Sequence, residues 1–582
     1  MHERTESHTF GPFRLDAAKL VLWRENEVVS LPPKAVALLA TLVSAGGDVV
    51  SKDELLSRVW PDVTVEESNL TVTMSALRKC LGRRRDGRPY IETLSRRGYR
   101  FCPSPPEVSA PSLGVLPFRN LSGSDDNGLG IAMADAIITR LAGTGRVAVR
   151  PTSAVVRFAR RRPDPHAAGR ELSVDAVLEG HFQRQRDRLR VTAQLVPTNE
   201  ASPSWSTRFE GAFADLFALQ DGLADELAAA LRLRLDARER KSLKRHPTSS
   251  LEAYQAFARG VHFWFRLTSP SLRQAISCFD EALGHDPAYS LALVGKASVY
   301  IALAVTGGLA PREAWPQAAE AIGRALDAGP PLAIAHVADA YLNVLAGWDW
   351  PKAEAAMGRA LAIDERSVNA HQWNALLQLC QGRLEEGDES AARALAQDPV
   401  SVVAYALRGL RWTLAGEDER ALERYVKVVE LEPTHVIGHW GRGVSLVRLG
   451  RHVEGLSALR HACDTSGGNP ALCAYLAWGL GATGRVEEAR TALARVESSS
   501  AAYVSPYLRA GVHVVLGEDE EALSRLAEAA SERDPWILFL GVDPKLAPLR
   551  DLRAFRMLEM QVFASSSGPR AGDPAAPFGK TS

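Results

Sequence analysis

The stretch Glu67-Ser-Asn-Leu-Thr-Val-Thr-Met-Ser-Ala-Leu-Arg-Lys-Cys-Leu81-Gly82 decides the reading of the amino-terminal part of this chain. Leu70, Met74, Leu77 and Leu81 recur at spacings of four, three and four, so a helix over these residues turns one apolar stripe to a core. Glu66 and Glu67 fall in its first turn, where acidic groups suit the helix dipole, and Gly82 stands where the helix should stop. The face away from the stripe holds Asn69, Val72, Thr73 and Ala76. These side chains are small and carry hydrogen-bonding groups or methyls, a composition that lets a helix approach base edges in a major groove.

Upstream of this helix, Ser51 is a good N-cap for a helix from Lys52 to Trp60, with Glu54 completing a capping box and Pro61 marking the stop. Before it, Leu31-Pro-Pro33 leads into a helix from Lys34 to Ser44, ended by Gly46-Gly47, and two candidate strands, Phe10 to Leu15 and Lys19 to Trp23, open the chain. Downstream, Tyr90 to Leu94 and Gly98 to Phe101 are strand-like around Ser95-Arg-Arg97, a hairpin with Arg96 and Arg97 at its tip. Between Arg78 and Arg100 nine basic residues, among them Lys79 and the run Arg83, Arg84, Arg85 and Arg88, face only Asp86 and Glu92. The whole chain has 69 basic and 69 acidic residues, so this excess is local, and phosphate is its natural partner.

With Ser51-Lys-Asp-Glu-Leu55, Trp60, Leu77-Arg-Lys79 and Arg97-Gly-Tyr-Arg-Phe101 in place, residues 9–102 resemble the winged-helix regulators of the OmpR/PhoB type. The resemblance implies a winged helix-turn-helix over residues 1–102. Its third helix would enter the major groove through Asn69, Val72, Thr73 and Ala76, and its wing would reach a flanking minor groove through Arg96 and Arg97. Arg78, Lys79 and Arg100 complete the candidate DNA-binding set. Ser75 and Ala76 stand where some members carry arginines, so contacts to phosphate and methyl groups are expected to outweigh guanine readout.

The 582 residues exceed one core, and a multidomain chain is expected. Residues 103–112, rich in proline and serine, read as a linker. In residues 113–240, Leu113 to Phe118 is strand-like and Ile131 to Leu141 helical; Ala176 to Gly180 and Leu189 to Val196 alternate as strands, and Phe213 to Leu235 reads as one long helix. Val115-Leu-Pro-Phe118, Asn120-Leu-Ser-Gly123, Arg170-Glu-Leu-Ser-Val174, Val177-Leu-Glu-Gly180 and Phe217-Ala-Leu-Gln220 make this small α/β domain look like the TolB-amino-terminal-like domain.

From Leu251 internal repetition dominates. Gly382, Gly416, Gly450 and Gly484 are spaced by 34 residues, the period of helical-hairpin repeats. Gly409, Trp412, Ala421, Tyr425 and Pro433 in one unit, and Ala275, Phe279, Ala282 and Pro287 in another, resemble the tetratricopeptide repeat. An all-α solenoid over residues 251–560, with six to eight repeats and a concave groove that receives a partner, is the expectation. Gly387 and Gly455 stand where the repeat's alanine should be. Residues 565–582, rich in Ser, Gly, Pro and Ala, read as a disordered tail.

Six cysteines without a CxxC pair point to reduced thiols. Gly128-Leu-Gly130 lacks the remainder of a phosphate loop, His435 and His439 lack a third metal ligand nearby, and no HExxH, Ser/His/Asp order or paired carboxylates occur. No catalytic residue, cofactor or metal is therefore assigned. No apolar run reaches the length of a membrane span, so the helix of CadC-like relatives is missing, and the winged helix starts too early to leave room for a receiver domain. The sequence thus predicts a cytoplasmic, non-enzymatic transcriptional regulator. Its partners would be double-stranded DNA, the transcription machinery and a protein or small-molecule effector taken by the repeats, with no membrane. The alternative is a tetratricopeptide scaffold or adaptor whose winged helix binds protein.

Overall fold

The computed structural model describes the chain except residues 1–6, 11–12, 18, 25–26, 30, 46–47, 62–64, 66, 83–88, 95–96, 103–110, 123–127, 162, 201, 234, 245, 267, 500–502 and 565–582. Most of the linker, the tail, Gly46-Gly47 and Arg96 thus lie outside the described residues. The chain forms two compact units, residues 1–110 and 111–582.

The first unit opens with β1 (Ser7–Phe10), β2 (Phe13–Asp16), β3 (Val21–Arg24) and β4 (Glu27–Val28), an antiparallel sheet in sequence order. The expected strand from Phe10 to Leu15 is in fact two: β1 ends at Phe10, β2 begins at Phe13, and the two pair antiparallel with Phe10 opposite Phe13. Helices α1 (Pro33–Ser44), α2 (Lys52–Val59) and α3 (Glu67–Leu81) follow, with the two-residue β5 (Val49–Val50) between the first two. The chain then returns as β6 (Ile91–Leu94) and β7 (Gly98–Phe101), giving a second sheet in the order β5-β7-β6. Phe10, Phe13, Tyr90 and Phe101 meet edge to face or tilted and join the helical stripes in one core. Gly98 has φ of 128°, and a Cβ there would stand 2.1 Å from the Val50 carbonyl, so only glycine lets the wing strand pass β5 this closely.

In the second unit β8 (Ser112–Val115), β9 (Arg119–Asn120), β10 (Ala148–Val149), β11 (Ala176–Gln185), β12 (Arg188–Pro197) and β13 (Trp205–Ala212) build a six-stranded mixed sheet. Its main path runs β10-β8-β11-β12-β13, with β9 also paired to β11. Helix α4 (Gly128–Ala142) and the helix Leu216–Ala230 supply its hydrophobic cover. The expected helix from Phe213 to Leu235 is shorter: it starts as a 3-10 turn, Phe213–Asp215, and ends before Arg232, whose φ is 53°. The Gly128-Leu-Gly130 triplet forms the first turn of α4. A Cβ on Gly130 would fall 1.9 Å from the Phe118 carbonyl, so close backbone packing accounts for that glycine.

Among the described residues, sixteen helices, from Leu251–Trp264 to Asp519–Ser531, pair into eight antiparallel hairpins. Tyr425 shows why the repeat pattern recurs: added Cβ atoms on Gly409 and Gly441 would lie 2.8 and 2.2 Å from its ring, so neighbouring helices close over the ring only where a side chain is missing. Gly387 and Gly455 follow the same logic, against Leu379 and Val447. This region and the α/β sheet share buried contacts: Tyr254, Ala258 and Val400 join the sheet's core, and the buried Arg150 donates to the carbonyls of Leu172, Ser173 and Gln397.

Two expectations change here. The cysteines are not all free: Cys463 and Cys473 form a disulfide, because the turn through Gly467 and Gly468 folds the chain back and brings their Cα atoms to 4.9 Å. The concave groove is not open either. The 3-10 turns Pro535–Phe539 and Pro544–Leu549 lie against it. Trp536 meets Tyr475, Phe539 and Val542 pack near Ala375 and Leu379, and the Tyr507 hydroxyl donates to Asp543. A last helix, Arg553–Val562, closes the segment, with the Trp350 indole donating to the Val562 carbonyl.

Asp534 caps the first of these turns, accepting from the Trp536 amide and from the Tyr503 hydroxyl at 2.9 Å. Complete burial pushes its carboxyl up to about 6 from 3.8. A raised folded value means that its stabilisation is fully present below about pH 4 and is lost as pH rises through about 6. Asp534→Asn keeps the cap and removes the titration. The variant should therefore gain on the native chain across that window, by up to about 3 kcal/mol. Urea midpoints of both proteins from pH 4 to 7 check this, and parallel curves would refute it.

Candidate nucleic-acid interface

Helix α3 is held in place from three sides. Its stripe, Leu70, Met74, Leu77 and Leu81, is at most 4% exposed. Lys52 at the start of α2 bridges to Glu67 at 2.8 Å, and Ser51 caps α2 by accepting from the Glu54 amide at 3.2 Å. Lys34 in α1 donates to the Val59 carbonyl at 2.8 Å, locking the end of α2 against α1.

With the stripe inward, the opposite arc is open. Asn69, Val72 and Ala76 are exposed, Val72 at 69%, and Thr73 is half-buried with its hydroxyl donating to the Asn69 carbonyl at 2.8 Å. Thr71 and Ser75 are exposed on the same arc and were missed, although the 3.6-residue period that placed the others also admits them. An exposed valine flanked by threonines offers methyl groups and hydroxyls without bulk, suited to lying against a thymine methyl or a base edge.

The basic residues divide into two groups. Lys79 and Arg97 are exposed. Arg78 is turned inward: its Nε and one terminal nitrogen donate to the Ile91 carbonyl, the latter nitrogen also reaches the Thr93 hydroxyl at 2.7 Å, and the guanidinium lies 5.7 Å from the Tyr99 ring centre. Arg78 therefore ties α3 to the wing strands. Arg100 pairs with Glu92 across the β6–β7 ladder at 2.7 Å, and the carboxylate raises its already high pKa. Neither use was visible in the sequence, because both depend on the hairpin's register. Arg96 and Arg83 to Arg88 lie outside the described residues.

Other candidates do not gather into a site. His439 bonds the Pro433 carbonyl at 2.8 Å and stacks edge-on against His461, and among the described residues no group of three potential metal ligands comes together.

Residues 26–101, spanning β4 to β7, match the family model described as "Transcriptional regulatory protein, C terminal". This unit is a regulator-type DNA-binding domain. Among curated proteins, the transcriptional regulator HilA of Salmonella typhimurium is 41% identical over 105 residues, 17% of this chain and 19% of that protein. A putative adenylate cyclase 3 of Rhizobium meliloti is 30% identical over 190 residues, 32% of each chain. The chain thus covers a third or less of the length of either relative. Among solved structures, the DNA-binding domain of Escherichia coli CadC is 29% identical, over 16% of this chain and 91% of that one, with a TM-score of 0.16. The winged helix is of the OmpR/PhoB type, and among the described residues no helix is long and apolar enough to cross a membrane.

Proposed function

We propose that the chain is a cytoplasmic, non-enzymatic transcriptional regulator. It reads duplex DNA with Asn69, Val72, Thr73 and Ala76 of α3 in the major groove, and with the wing, through Arg97 and Arg96, in the adjoining minor groove. The observation that carries this reading is the open arc of α3. A helix buried along one stripe and pinned at both ends leaves its other side small, polar and flanked by the exposed Lys79 and Arg97. Arg78 acts by tying α3 to the wing strands, and Arg100 by pairing with Glu92 within the wing's own ladder. An effector taken by the hairpin array, against whose inner face residues 535–549 already pack, changes DNA occupancy from there.

The test is the salt dependence of duplex binding by the full chain. Each phosphate neutralised should contribute about −0.9 to the slope of log affinity against log salt. Lys79, Arg97 and their basic neighbours together predict a slope of roughly −3 to −5. An affinity that stays constant as salt rises would remove the proposal.

A further inference from the structure

We propose that two copies of this chain pair through the free edge of β13, joining their sheets across a twofold axis centred on Phe209. β13 ends the sheet's path, and among the described residues its ladder is made with β12 alone. The bond from the Phe213 amide to the Asp187 carbonyl fixes the phase of that ladder. Trp205, Thr207, Phe209 and Gly211 direct their backbone groups to β12, so Ser206, Arg208, Glu210 and Ala212 direct theirs outward. The outer edge runs for eight residues without the proline or lysine that commonly guards such an edge.

Its sequence is complementary to itself in one antiparallel register. A twofold at Arg208 or Glu210 would set like charges directly opposite each other. A twofold at Phe209 sets each Arg208 opposite Glu210 of the second copy and pairs the two Phe209 rings, both stabilising cross-strand combinations. Thr207 then faces Gly211, where the space a Cβ would occupy has no heavy atom within 4 Å. Arg208 is available for this role. Within one copy it shares Glu210 at 3.5 Å with Arg188 at 3.3 Å and Arg190 at 3.2 Å, so three guanidiniums meet one carboxylate, and Arg208 remains 58% exposed. A twofold contact of this kind is self-limiting, since both edges are consumed.

Two sets of variants of the full chain test the pairing and its register. By analytical ultracentrifugation over a concentration series, the native chain should shift from monomer to dimer. Arg208→Glu, which sets four carboxylates around the axis, should raise the dissociation constant roughly tenfold. The exchange of both charges, Arg208→Glu with Glu210→Arg, should restore it. In parallel, Phe209→Cys should cross-link two copies on mild oxidation, because the residues of a non-hydrogen-bonded pair lie about 4.5 Å apart, within reach of a disulfide. Thr207→Cys should not, since its opposite is Gly211. A native chain that stays monomeric at every concentration, a double exchange as weak as the single reversal, or equal cross-linking of both cysteine variants would overturn the proposal. None of these results depends on DNA binding.

Discussion

Replacing Phe555 by alanine is expected to destabilise the carboxy-terminal part of the hairpin array by about 3–5 kcal/mol. Phe555 is fully buried in the final helix, which also places Val562 under the Trp350 indole and Phe563 on its ring, stacked at 5.4 Å. The cavity would open in the core that the last helix shares with Leu546 and Leu549 of the second 3-10 turn. The loss should therefore spread through Ile537, Leu538 and Leu546, each at most 2% exposed. Hydrogen exchange gives the local readout. Amides of residues 535–563 and of the inner helices Ser290–Val305 and Pro506–Val515 should lose protection together, while the winged helix keeps its own. Loss confined to the final helix would show that the inner segment is held independently of it.

How much of this was legible in the sequence follows from how local each signal is. The stripe of α3, the cap at Ser51 and the hairpin strands β6 and β7 are written within one or two turns of chain, and the structure places them within a residue or two of the expected bounds. The 34-residue period was equally plain, because Gly382, Gly416, Gly450 and Gly484 each take a φ of 75–78° in the turn between the two helices of a hairpin, a conformation that favours glycine. β13 was legible and was overlooked: its residues alternate strictly between half-buried and exposed, the period of a one-sided strand. The pairs Asp534-Pro535 and Asp543-Pro544 announce turns, but nothing local says that those turns enter the groove of their own array. The inward use of Arg78 and the Cys463–Cys473 bond have the same cause, since partners thirteen or ten residues away meet only once a turn has closed.

At the interface, α3 and the wing are expected to divide the labour. Leucine at Thr73 would add bulk to the face that approaches the bases while leaving the buried stripe untouched. Its cost should fall on sequence preference, about 1–3 kcal/mol for each base contact disturbed. Alanine at Arg97 removes only charge, so binding should weaken on every duplex alike and the salt slope should flatten by about one unit.

Sequence reading by the open arc of α3 is the property on which the proposed function turns. Its most direct measurement is a titration of native chain and Thr73→Leu against two duplexes: the site most enriched when genomic fragments are selected by the native protein, and a scrambled version of it. Thr73→Leu should lose affinity for the selected site and keep its affinity for the scrambled one, with an unchanged circular dichroism spectrum. Equal loss on both duplexes by a correctly folded variant would contradict it.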